Sequence, residues 1–299
     1  MAEEPERSRA ARRAAERALV RVVHHYGGRP EFVVLGGLVP ELLCAGSGYQ
    51  HAGTTDVDVQ VDLEIACGSV QTRRLELALL NAEFEPDGER IWRWKADGPE
   101  HGAVIKFELL ADLEDQASGA QIVFDGCESL GAANLRGTGF AAKDIEVRNL
   151  AAKIGGVRHI AEVNVTGLAG FLLAKCAAAY SRRKTKDWYD IAFVLLHNDQ
   201  GGPEQAAQRV LDLFRDDLGL LRSALGDLQA NFSDPRAQGP KAYADQMLVD
   251  HTELDGATLR ADAVLAVGAF CRQVMAVAVE PVEAQGQTNI DPNGGPGPR

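Results

Sequence analysis

Paired cysteines are missing from this sequence. The five it holds, Cys44, Cys67, Cys127, Cys176 and Cys271, are odd in number and irregular in spacing, and no two form a C-x-x-C pair. Neither a zinc site nor a disulfide framework is expected from such a pattern. Cys44 and Cys176 fall in apolar helical surroundings and read as core. Long apolar runs are missing too: none reaches the length a bilayer requires, and no signal-peptide pattern is seen. The expectation is a chain without membrane contact, in a reducing cytoplasm. Basic residues are in deficit, 31 Lys and Arg against 43 Asp and Glu, for a net charge of −12. That argues against generic coating of nucleic acid, although a local basic patch could still hold RNA. No internal repeat is present.

What remains is an ordinary globular composition, 45% hydrophobic and 25% charged over 299 residues. A large core and two subdomains fit that length. One stretch organises the rest, Gly53-Thr54-Thr55-Asp56-Val57-Asp58-Val59-Gln60-Val61-Asp62. Residues i and i+2 of a strand face the same way. Asp56 and Asp58 therefore point off one face, and Val57, Val59 and Val61 off the other. Asp62 continues the acidic face at the strand end and reads as solvated. By itself D-x-D describes any half-exposed strand with an acidic outer face. Two like charges that are buried require compensation, and the hard cation Mg²⁺ supplies it through oxygen ligands.

The context adds weight. Phe32 to Leu35 reads as a short buried strand, followed by Gly36 and Gly37 and then a helix over 38–45 with Pro40 in its first turn. Such glycines let a ligand approach the backbone N–H groups, although for a Gly-Gly pair taken alone a tight turn with no ligand is the better explanation. Ala103 to Leu110 reads as another strand, with Lys106 and Glu108 on one face. Glu108 would complete an acidic triad with Asp56 and Asp58. Such a triad can hold two Mg²⁺ ions about 3.5–4 Å apart. Further on, Lys175 sits in an apolar helix over 167–180, either snorkelling to solvent or meeting a triphosphate. Arg182-Arg183-Lys184-Thr185-Lys186 is the densest positive patch, suited to a helix C-terminus or to phosphates. Asp187 opens the next helix, where a cap explains it, and Asp190 lies at i+3 on the same face.

These motifs, in this order, resemble the polymerase-beta nucleotidyltransferase superfamily. Leu172-Leu173-Ala174-Lys175 ahead of Arg182 to Ile191 is similar to the AbiEii-type nucleotidyltransferase toxins, among them the MenT-type toxins. The resemblance covers about residues 30–200. It departs at Leu38, where a hydroxyl residue is common, at Ala52 beside His51, where an arginine often sits, and at Glu108, where Asp is common. The resemblance implies a minimal nucleotidyltransferase fold. Asp56, Asp58 and Glu108 would hold Mg²⁺, and Gly36, Gly37, Lys175, Arg182 and Lys186 would bind the NTP. Asp187 and Asp190 would orient the cations or the acceptor. It further implies transfer of a nucleoside monophosphate to an acceptor such as a tRNA 3′ end, and a cognate antitoxin protein. Transfer to a small molecule or a protein is the first alternative, and a degenerate nucleotide-binding protein the second.

The expected architecture is α/β (α+β). Residues 1–165 would form a mixed sheet preceded by a charged helix that packs by its C-terminal half. Residues 166–283 would form a helical bundle, with Thr166 as an N-cap candidate. Residues 284–299 are expected to be a disordered tail. Expected elements include a helix over 71–81, a hairpin over 84–94 with its turn at Asp87-Gly88, and short strands over 121–124, 145–149 and 157–165. Asp112, Glu114 and Asp115 are expected in a solvated loop. Two helices over 205–228, a Pro/Gly loop over 233–240 and a long helix over 258–279 complete the reading. Ile91-Trp92-Arg93-Trp94 reads as sheet packing, with little weight on Arg90 or Arg93 reaching a phosphate.

Overall fold

The structure, a computed structural model, describes residues 8–61, 70–98 and 104–278. Asp62, Cys67 and the tail expected over 284–299 lie outside the described residues. Helix α1 (Arg9–Tyr26) starts at Ser8, whose side chain accepts the Ala11 N–H. It stops at Gly27, which adopts φ 75° and bonds back to the carbonyls of Val23 and His24. Leu19, Val20, Val22 and Val23 are buried as expected, but Arg12, Ala14 and Ala15 are buried as well. The N-terminal half of α1 therefore packs too, against the chain ahead of the acidic strand. A Cβ on Gly53 would lie 2.5 Å from the Ser8 carbonyl oxygen.

The chain then forms β1 (Val33–Leu35), a 3₁₀ turn (Gly36–Leu38), α2 (Val39–Leu43), β2 (Asp56–Gln60) and α3 (Val70–Asn81). A hairpin of β3 (Glu85–Asp87) and β4 (Arg90–Asp97) precedes β5 (Val104–Ala111), β6 (Gln121–Val123) and β7 (Gly131–Asn134). A short helix α4 (Gly139–Lys143) leads to the ladder of β8 (Ile145–Ile154) and β9 (Val157–Thr166). The strands join one mixed sheet in the order β3-β4-β5-β2-β1-β9-β8, with β6 and β7 attached beside β5. The β2–β5, β1–β9 and β5–β7 pairs are parallel.

From Leu168 the chain is helical: α5 (Leu168–Arg182), α6 (Thr185–His197), α7 (Pro203–Phe214), a 3₁₀ stretch (Arg215–Leu221), α8 (Arg222–Asn231), α9 (Gln238–Asp250) and α10 (Gly256–Ala278). One continuous hydrophobic cluster runs from α1 and the sheet into this helical region. A second, small cluster of Leu35, Leu110, Ala133 and Ala141 lies apart from it.

Three local expectations are corrected. Thr166 does not cap α5; the cap position is Gly167, and the Asp144 carboxylate accepts the N–H groups of Ala169 and Gly170, each at 3.0 Å. Asp112 is not simply solvated, since its carboxylate accepts the N–H groups of Gly137 and Gly139. The loop expected to run to Pro240 ends at Gln238, where α9 begins. Pro40 and Pro240 both sit in first turns, where the missing N–H has no helical partner to lose. Gly239 is there because a Cβ would strike the Phe232 ring at 2.3 Å.

Candidate functional site

Alternation along β2 sends Val57 and Val59 into the core, both fully buried, and leaves Asp56 and Asp58 half-buried on the opposite face. The pairing of neighbouring strands then builds a row across the sheet. Leu35 on β1 lies opposite Asp58, Asp58 opposite Glu108 on β5, and Glu108 opposite Arg93 on β4. One pleat away, Asp56 faces Lys106. The Lys106 ammonium lies 3.2 Å from Asp56 Oδ1. Arg93 donates from Nε (2.7 Å) and approaches from Nη2 (2.6 Å), both to Glu108 Oε1.

The paired glycines are shaped to this row. Gly36 has φ 76°, and a Cβ there would stand 2.0 Å from Asp58 Oδ2. A Cβ on Gly37 would press to 2.8 Å on the Thr54 side chain. Thr54 in turn accepts the Asp56 N–H. The glycines thus admit the acidic strand close to the turn after β1, a role served without any ligand.

The helical region supplies the other side. Lys175 does not snorkel: it is 7% exposed, and its ammonium lies 3.2 Å from Asp187 Oδ1 and 2.6 Å from Asp190 Oδ2. Arg182 grips Asp187 as a fork, Nε to Oδ2 at 2.7 Å and Nη2 to Oδ1 at 2.6 Å. Asp187 is therefore more than a cap; it is fully buried and committed to two cations. The link from α5 to α6 is only Arg183 and Lys184, with Arg183 in the left-handed region at φ 49°. That tight link brings Lys186 round to 3.8 Å from Asp56 Oδ2.

His51 joins the two sides. Gly53 donates its N–H to Nδ1 (3.3 Å), so the ring proton sits on Nε2 and is donated to Asp190 Oδ1 at 2.9 Å. The ring stacks on Tyr189 with centroids 5.0 Å apart, and the Tyr189 hydroxyl accepts the Ala52 N–H.

Burial pushes the Asp58 carboxyl up from its ordinary pKa, and the neighbouring Asp56 charge pushes the same way; Lys186, Lys175 and Arg182 pull it down. Glu108 is pushed up to about 7, first by burial and then by Asp58, against the pull of Arg93. Burial works to lower the Lys175 pKa, but Asp190 and Asp187 outweigh it and raise it. Burial works to raise Asp187, but Lys175 and Arg182 reverse that and hold it low.

All the residues singled out in the sequence as site candidates converge: Gly36, Gly37, Asp56, Asp58, Glu108, Lys175, Arg182, Lys186, Asp187 and Asp190. Five carboxylates meet five cations once Arg93 and Lys106 are included. Sequence reasoning gave Arg93 little weight and assigned Lys106, His51 and Tyr189 no role. For Lys106 the signal was present, because it shares a strand face with Glu108. For Arg93 and His51 it was not, because their partners are set by strand register and helix packing. Among the described residues, no group of three or more His, Cys, Asp or Glu side chains is arranged to hold a metal ion. Lys106 and Arg93 already occupy Asp56 and Glu108.

Fold and site together define a mixed α/β protein with a helical C-terminal region and a charge-balanced acidic centre between them. No helix among the described residues is long and apolar enough to cross a membrane. Comparison with family models, with curated proteins and with solved structures finds no match to this chain.

Proposed function

We propose that this protein is a Mg²⁺-dependent nucleotidyltransferase of the AbiEii and MenT type. The observation that carries the reading is the row in which Asp58 lies opposite Glu108, with Asp56 one pleat away and Lys186 reaching in from the helical side. A carboxylate set faced by Lys175, Arg182 and Lys186 suits a triphosphate, which needs both acid–base groups and cations.

Asp56, Asp58 and Glu108 offer the carboxylate oxygens that a hard divalent cation takes, once Lys106 and Arg93 give way to it. Asp56 and Asp58 repel each other, and Asp58 is held protonated more readily than usual. Both Arg93 contacts fall on one oxygen of Glu108, which leaves Oε2 to another partner. Asp56, Asp58 and Glu108 would hold Mg²⁺, which when bound supplies charge neutralisation at the phosphates. The chain's own groups do the rest. Lys175, Lys186 and Arg182 balance the triphosphate, and backbone N–H groups at Gly36 and Gly37 contact it. Asp187 and Asp190 hold Lys175 and Arg182 in place, and His51 holds Asp190. Glu108, whose Oε2 lies clear of the Arg93 contacts, takes the proton from the acceptor hydroxyl. The acceptor oxygen bonds to the α-phosphorus, the α–β bridge breaks, and pyrophosphate leaves.

The tRNA 3′ end as acceptor and the cognate antitoxin rest on the resemblance alone, and a cytoplasmic location rests on the unpaired cysteines of the sequence. The second reading is a protein that binds nucleotide without transfer, favoured by the ion pairs that already occupy Glu108 and Asp56. The test incubates the protein with Mg²⁺, each α-labelled NTP in turn and total cellular RNA, beside Asp58→Asn. Label in a tRNA-sized band, lost in the variant, is the expected result. Label in protein or small molecules instead moves the acceptor class. Nucleotide binding with no transfer to anything leaves the second reading.

A further inference from the structure

Strand β8 ends the sheet, and among the described residues its outer edge pairs with nothing. It runs ten residues without proline or bulge, in continuous register with β9. Natural proteins seldom leave so long and regular an edge unprotected. The hairpin turn settles which backbone groups face outward. Gly155 and Gly156 form a two-residue loop with φ 55° and 84°, the type I′ pattern, so Ile154 and Val157 are a hydrogen-bonded pair. Bonded pairs then alternate down the ladder and fall on the even-numbered residues of β8. The Gly167 N–H donating to the Asp144 carbonyl at 2.6 Å obeys that alternation. The N–H and C=O groups of Ile145, Val147, Asn149, Ala151 and Lys153 therefore point out along the free edge. Their side chains share the solvent face, where Ile145 and Val147 are each 49% exposed and Ile160 on β9 is 65% exposed.

We propose that β8 is the seam of a homodimer, pairing antiparallel with β8 of a second copy about a twofold axis through Val147. The charges select that register. With the axis at Val147, Glu146 faces the partner's Arg148 and Arg148 faces the partner's Glu146, in the closer, non-hydrogen-bonded positions. Each copy already carries its own Arg148–Glu146 ion pair, so the four charges close into an alternating ring. One step either way sets Glu146 against the partner's Glu146, or Arg148 against the partner's Arg148. Val147 meets the partner's Val147, Ile145 meets Asn149, and each of these pairs is hydrogen-bonded through outward-facing groups. A second copy is the occupant because the strand complements itself in charge and in backbone donors together.

The mass in solution, by light scattering across a concentration series, is the first readout. The expected value is about twice the 32.1 kDa of one chain. Val147→Cys then tests the register. Directly opposed residues of a hydrogen-bonded pair stand about 5.5 Å apart at Cα, within disulfide reach, so oxidation should crosslink most of the protein. Asn149→Cys should not crosslink; crosslinking there instead would place the axis at Asn149 and overturn the register. Arg148→Glu should lower the dimer fraction at least tenfold, and Glu146→Arg combined with Arg148→Glu should restore it. A wild-type chain that stays at 32 kDa throughout overturns the proposal. So does a dimer indifferent to all of these changes.

Discussion

The charge of Glu108 is held between opposing influences. Burial and Asp58 push its pKa to about 7, while Arg93 keeps hold of one oxygen. The sign of the consequence follows from linkage. A carboxyl whose folded pKa exceeds its unfolded value leaves the native state holding more protons between the two. The contribution of Glu108 must therefore fall as pH rises from about 4.5 to 7 and level off above that, opposite in sign to the contribution of His197, which burial holds down at about 4. Asp58, also raised, adds a slope of the same sign. In metal-free buffer, Glu108→Gln should remove this falling contribution, so that the variant gains stability relative to the wild type as pH rises from about 4.5 to 7 and melts higher at pH 8. Thermal melts at half-unit pH steps check it; an unchanged slope would mean that Arg93 neutralises Glu108 fully. At this scale the sequence was informative wherever one strand sufficed. Period-two alternation placed Asp56 and Asp58 together, and Lys106 with Glu108. Arg93 lies 15 residues from Glu108 and His51 lies 139 from Asp190, so no local pattern could join them. Gly36 and Gly37 mark a point of close approach, and the groups that approach them in the structure are the side chains of Asp58 and Thr54.

Among the elements, α5 shows how a helix start can be hidden. No side chain at its own N-terminus caps it; Asp144, 25 residues upstream, accepts the Ala169 and Gly170 N–H groups. A Cβ on Gly167 would collide with that carboxylate at 2.6 Å. Arg209 on α7 pairs with the same carboxylate at 3.3 Å. Asp144→Ala should therefore cost more than a surface change, about 1–2 kcal/mol, the range for a lost cap. Urea denaturation measures it. Arg209→Ala, which leaves the cap intact, should cost about half a kcal/mol or less. If the two variants lose equal stability, the ion pair and not the cap is what matters. Helix α9 was invisible for a related reason. Its first turn, Gln238-Gly239-Pro240, has the composition of a loop, and only the Phe232 ring explains the glycine. The long apolar helices α5 and α10 and the amphipathic α7 were legible because their burial repeats within a single element.

Across the whole molecule, the sheet and the helical region meet through apolar packing and through one buried ion network. His51 precedes β2, Lys175 and Arg182 lie on α5, and Asp187 and Asp190 lie on α6. All but Arg182 are nine-tenths buried or more. Such networks give little net stability over an apolar core, yet losing one member is costly, because its partners keep their charge without compensation. Lys175 faces two carboxylates at once, so it is the member whose loss leaves most charge exposed to repulsion. Lys175→Met, which keeps the packing volume, should lose about 3–5 kcal/mol in equilibrium unfolding. Asp190→Asn added to it should recover part of that loss, since one of the two stranded carboxylates is then neutral and His51 can still donate to the amide oxygen. Lys153→Met, on the exposed hairpin, should change stability by less than about 0.5 kcal/mol. A loss at Lys175 no larger than at Lys153 would mean that Arg182 and His51 alone satisfy the two aspartates. The tie between the acidic sheet face and the helices would then rest on apolar packing, and the Lys175 ammonium would be the group most readily lent to a ligand.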